Sequence, residues 1–143
     1  MIDLKNQLRI GNNVLLSMHD QHLVYTVQSL TKSKCGIQRL QGGELMHSHD
    51  YIFICGIPLD SKILKTCGFK HEINKQNELV TCNPDHYQIF EYHNWNNPKL
   101  PVIIKDVRGE YFLDGFLGTQ LHYLHELQNI YQDITKQVLT YAP

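Results

Sequence analysis

His47-Ser48-His49-Asp50 is the first stretch of the chain with the makings of a site. On a strand, residues i and i+2 point to one face, so His47 and His49 can present two imidazoles together, as many metal sites do. With Asp50 they form the nucleus of a metal-dependent hydrolase. Tyr51 and Ile52 follow Asp50, however, so the longer H-x-H-x-D-H run of metallo-hydrolases is absent. A polar strand edge or loop is the plainer reading.

A second grouping is His122, His125 and Glu126 near the C-terminus. His122 and Glu126 share a helix face, but the order H-x-x-H-E is not the H-E-x-x-H of zinc proteases. His125, Gln128, Asn129 and Gln132 fall at offsets of three, four and seven. Such a row reads first as a solvated or boundary face. Its functional alternative is a line of imidazole and amide groups that hydrogen-bond a ligand or a partner subunit.

The third grouping is aromatic: Tyr87, Phe90, Tyr92, His93 and Trp95, with Lys99 and Lys105 close by in sequence. Rings of this kind can stack a purine while a lysine meets phosphate. Core packing is the plainer reading for Tyr87 and Phe90. Trp95 lies in the turn Asn94-Trp95-Asn96-Asn97-Pro98, where binding residues concentrate. No nucleophile elbow, Walker loop or dinucleotide-binding glycine run is present, and Gly115-Phe116-Leu117-Gly118 is too short and apolar to cradle phosphate. The chain reads as non-enzymatic, with no cofactor.

Composition bounds the setting. A chain of 143 residues fits one domain, or two small lobes sharing a core. It can bury about 70% of its unfolded surface and so needs no covalent staples. Thirteen basic against fourteen acidic residues leave a net charge of −1, which argues against gripping a nucleic-acid backbone. Cys35, Cys55, Cys67 and Cys82 contain no C-x-x-C pair, the N-terminus has no secretory pattern, and no apolar run is long enough to span a membrane. Reduced thiols and a cytoplasmic location are the expectation.

The elements that would position these residues follow from periodicity. Short strands are expected at 14–18, 22–29, 35–40 and 51–55, with a tight turn at Leu8-Arg9-Ile10-Gly11-Asn12, giving a small curled sheet or SH3-like β-barrel over 1–57. Asp60 can cap a short helix over 61–67 that Gly68 ends, a connection spanning 58–68. A second antiparallel sheet is expected within 69–143, from strands at 69–73, 79–82, 86–93, 102–107 and 111–116. Thr119 can cap a final helix over 120–139, where Leu124, Leu127, Tyr131, Ile134 and Val138 form one apolar stripe. That stripe is expected to lie across the second sheet. The fold class is α+β.

Three segments carry a resemblance: Leu8-Arg9-Ile10-Gly11-Asn12; Ile57-Pro58-Leu59 with Ile63-Leu64 and Cys67-Gly68-Phe69; and Leu124-His125-Glu126-Leu127-Gln128-Asn129-Ile130-Tyr131. In this order and spacing the chain resembles a family of small proteins carried by phages and mobile elements of Bacteroides-like bacteria. It departs from the usual pattern after Tyr131, where Gln132-Asp133-Ile134-Thr135 is more polar. The resemblance brings no activity and implies a context, the cytoplasm of an infected or element-bearing bacterium.

By analogy of class, small phage proteins without catalytic motifs act as inhibitors, or as sponges for nucleotide alarm signals. The leading expectation is therefore a counter-defence sponge, a homo-oligomer that sequesters a small nucleotide-like ligand. Tyr92, His93 and Trp95 would hold the base, Arg9, Arg39, Lys105 and Arg108 the phosphates, and His125 with Gln128 the sugar or amide edges. The alternative is a protein-interaction module that inhibits a host protein. A hydrolase built on His47, His49 and Asp50 ranks third.

Overall fold

The structure, a computed structural model, describes residues 4–17, 23–40, 46–73, 90–93, 102–105, 108–113, 120–139 and 141. The chain is α+β and divides into two compact units, one formed by Met1–Pro58 with Tyr123–Val138, the other by Leu59–His122 with Leu139–Pro143. The described residues contain no helix long and apolar enough to cross a membrane.

The first unit opens with a single helical turn, α1 (Leu4–Gln7), and is built on an antiparallel sheet of β1 (Asn13–Leu16), β2 (Tyr25–Leu30), β3 (Lys34–Arg39), β4 (His47–Asp50) and β5 (Ile54–Gly56). Their order is β4-β3-β2-β1-β5. Alternation puts Val14, Leu16, Tyr25, Val27, Cys35, Ile37 and Ile54 into one buried cluster with Leu8. β4 and β5 stand at opposite ends of the order, so the sheet is not closed into a barrel.

The apolar run at 51–55, expected as one strand, is divided: Tyr51–Phe53 forms a 3-10 turn and only Ile54 onward is extended. Chain leaving one edge of a sheet for the other must turn, and this turn leaves Ile52 75% exposed while Ile54 is buried.

The final helix is shorter than its periodicity suggested. It runs over Leu124–Thr135 and ends at Lys136, whose φ of 61° is left-handed. Thr119 lies outside the described residues, and the backbone N–H of Tyr123 is met by the Glu126 carboxylate at 3.1 Å. Leu124 and Leu127 are buried, Tyr131 and Ile134 are half-buried, and Val138 lies beyond the helix and is exposed. The helix belongs to the first unit, contrary to the expectation that it covers the second sheet. The reason is polar: its amide-bearing side chains bond to the 7–13 segment leading into β1.

The second unit starts with the connecting helix, here α2 (Ser61–Thr66), capped as expected by Asp60, whose Oδ1 accepts from Ile63 N at 2.8 Å. Gly68, at φ 93°, ends it in a conformation that a Cβ disfavours. An antiparallel sheet of β6 (Lys70–Ile73), β7 (Phe90–His93), β8 (Ile103–Lys105), β9 (Tyr111–Leu113) and β10 (Gln120–Leu121) follows, in the order β10-β9-β8-β7-β6. The hairpin expected at 102–116 is present as β8 and β9, with Ile103 opposite Leu113. The strand expected at 79–82 and the first half of that at 86–93 lie outside the described residues.

Candidate functional site

The polar row of the C-terminal helix forms a seam within the first unit. Gly11, at φ 95°, lets the chain turn so that Asn12 Oδ1 accepts from Arg9 N at 2.7 Å. Asn12 Nδ2 then donates to Asn129 Oδ1 at 2.9 Å, and Asn129 Nδ2 donates to the Gln7 carbonyl at 2.7 Å. Gln128, 3% exposed, accepts from Asn13 N and donates to Asn13 Oδ1, each at 2.8 Å. Buried amides of this kind are retained only when their partners are supplied, and here each supplies the other's.

Arg9 closes the outer end of the seam. Its guanidinium donates to the Asp133 carboxylate at 2.7 and 3.2 Å and to the Asn129 carbonyl at 3.3 Å. The hydrogen bond from Arg9 holds the Asp133 carboxyl below its usual range. The pair is largely exposed, so its contribution to stability is screened.

His125 occupies the inner end. It is fully buried, lies parallel to the Tyr123 ring at 5.6 Å between centroids, and places Nε2 3.1 Å from Gln7 Oε1. An amide oxygen only accepts, so with the amide oriented this way Nε2 carries the proton. Nδ1 is then a buried acceptor with no hydrogen-bond partner among the described residues. Burial lowers the pKa of His125 to about 4, so the ring is neutral near pH 7.

Arg9, His125 and Gln128, expected to meet a ligand, thus spend polar atoms on the protein's own chain. Sequence reasoning missed their partners Gln7, Asn12 and Asn13. The signal was available in Asn12-Asn13 preceding an apolar strand, where two amides entering a core require matching amides.

The remaining expected ligand residues that the structure describes lie on β3, on β7 and on the β8–β9 hairpin. Arg39 is half-buried at the end of β3, opposite Tyr25. Lys105 holds its ammonium 5.8 Å from the centroid of the Tyr111 ring, its partner across the hairpin. Arg108 is exposed in the turn between these strands. Tyr92 and His93 are placed by their backbone on β7, opposite His71 and Lys70. Trp95, with Tyr87 and Lys99, lies outside the described residues.

The motif at 47–50 is a strand edge. β4 pairs with β3 and, among the described residues, with no strand on its other side. His47, Ser48 and Asp50 are exposed and His49 is half-buried. The two imidazoles share a face, 6.4 Å apart between centroids and tilted by 47°. Asp50 takes the opposite face and lies 3.5 Å from Lys34 Nζ. Exposed Met46 and Ile52 flank the strand at 50% and 75%.

Among the described residues no group of three or more His, Cys, Asp or Glu side chains is placed to hold a metal ion. Burial pushes the thiols of Cys35 and Cys67 up to about 11 and about 12, so neither supplies a thiolate near neutral pH. His122 is exposed, and Glu126 is engaged in capping the helix. Comparison of the chain with protein-family models, with curated proteins and with solved structures gives no match.

Proposed function

We propose that the protein acts by binding and not by catalysis, as an interaction module that docks an extended segment of a partner protein on β4. The observation that carries this reading is the one-sided pairing of β4 among the described residues, together with the exposure of His47, Ser48 and Asp50. An open edge offers backbone N–H and C=O groups to an added strand, and its alternating side chains supply selectivity. A meander of four strands whose fifth returns to β1 through a 3-10 turn supports an SH3-like arrangement for the first unit. The setting we infer is the cytoplasm of a Bacteroides-like host, with a host protein as target.

A lysine on an edge blocks strand addition, so Ser48→Lys is the informative variant. Wild-type protein is expected to retain a stoichiometric host protein that Ser48→Lys does not. Equal retention by both proteins would refute docking on β4.

A second reading keeps a nucleotide-like immune signal as the ligand, sequestered without being transformed. Lys105 beside the Tyr111 ring and exposed Arg108, two cations on one hairpin, favour it. Arg39, Tyr92, His93 and Trp95 would complete it, without Arg9, His125 or Gln128. Calorimetry against cyclic and ADP-ribose-type nucleotides checks it, and absence of heat with every member would remove it.

A further inference from the structure

We propose that β4 carries half of a metal site, that β4 of a second copy of this chain completes it, and that the ion is a divalent transition metal such as zinc. It rests on the reading of β4 as a docking edge and goes beyond it: a second copy and the host protein compete for the same unpaired side of β4.

The first support is the ligand pair. His47 and His49 lie on one face with ring centroids 6.4 Å apart. Two imidazole nitrogens bound at about 2.0–2.1 Å to one ion place their centroids roughly 5–6 Å apart. Rotation of exposed His47 covers the difference. Imidazole suits zinc, nickel and copper and does not suit magnesium or calcium. Within one chain the pair is only a chelate. Asp50 alternates to the other face beside Lys34, and no third ligand completes a site among the described residues.

The second support is strand symmetry. Residues directly opposite each other in an antiparallel pair share the face of their side chains and the direction of their backbone N–H and C=O groups. A two-fold axis between two copies of one strand must therefore pass through a residue and not between residues. An axis through Ser48 sets His47 opposite His49 of the second copy, twice over. Opposed Cβ atoms then stand about 4.5–5.5 Å apart, and four imidazoles gather on one face. Four nitrogens match the four-coordinate preference of zinc. Each chain has a net charge of −1, so two copies repel weakly and a divalent cation favours their approach.

Light scattering on the full chain near neutral pH, coupled to size exclusion, tests the proposal with zinc chloride, magnesium chloride or a chelator present. The expected result is the mass of one chain in chelator and in magnesium, and twice that mass in zinc, with one zinc bound per two chains. His47→Ala and His49→Ala each abolish the doubling, while circular dichroism confirms that both variants fold. A one-chain mass in zinc overturns the proposal, as does doubling that persists in chelator or in both variants. A one-chain mass in zinc combined with a host protein lost in Ser48→Lys would sink this inference and leave the docking edge standing.

Discussion

Asn13 and Gln128 close a ring of two hydrogen bonds: Asn13 N donates to Gln128 Oε1, and Gln128 Nε2 donates to Asn13 Oδ1, both at 2.8 Å. Both residues are 3% exposed, so water cannot replace either bond cheaply. Truncation by Gln128→Ala strands a buried N–H and a buried amide oxygen, each costing about 1–3 kcal/mol. The expected loss is about 2–6 kcal/mol, read as a fall in urea midpoint with little change in slope. A variant within experimental error of wild type would show that the helix is held by something other than this ring.

His125 gives the stability a dependence on pH of defined sign. Its folded pKa of about 4 lies below the ordinary value of 6.5 because burial disfavours the charged ring. The unfolded chain therefore binds the proton first as pH falls. The stabilisation is full above about pH 6.5, is lost progressively down to about pH 4, and changes little further below. Its size is about 3 kcal/mol from the separation of the two pKa values. His125→Leu removes the titration, so the free-energy difference between wild type and variant is expected to shift by about that amount between neutral pH and pH ~4. A difference constant across that range would contradict the buried neutral ring.

Gly56 is held by the helix cap and not by its own conformation. A Cβ built there would lie 2.5 Å from Tyr123 Cδ1 and 2.6 Å from Tyr123 Cγ. Gly56→Ala is expected to cost about 1–3 kcal/mol, most of it recovered in combination with Tyr123→Ala. At Gly36 the nearest obstacles are Ser29 Oγ and Met46 Sδ, atoms at the ends of rotatable side chains, so Gly36→Ala is expected to cost less. Thermal unfolding of the four proteins checks the order, and equal losses at both glycines would contradict it.

Local patterns carried much of the fold. Alternation placed β2 and the β8–β9 hairpin, and Asp60 with Gly68 fixed both ends of the connecting helix. The destination of the last helix was not local: Leu124 and Leu127 show that it buries a stripe, and nothing in that period says against which sheet. The decisive groups were Asn12 and Asn13, more than a hundred residues earlier, whose amides select the helix by hydrogen bonding. For the same reason Gln128 and His125, polar residues beside an apolar stripe, read as a candidate ligand row until their partners were placed. The edge character of His47-Ser48-His49-Asp50 was visible in its polarity, whereas its one-sided pairing depends on strand order.

A docking edge at β4 and an internal role for the helix row make opposite demands on two surface variants. Ser48→Lys alters the edge, and Arg9→Gln breaks the exposed pair with Asp133 at the end of the seam. Affinity for the host protein retained by wild type, measured side by side for the three proteins, is expected to fall at least tenfold in Ser48→Lys and to stay within a factor of about two in Arg9→Gln. Binding that survives Ser48→Lys and fails in Arg9→Gln would contradict the assignment and return the contact surface to the helix row.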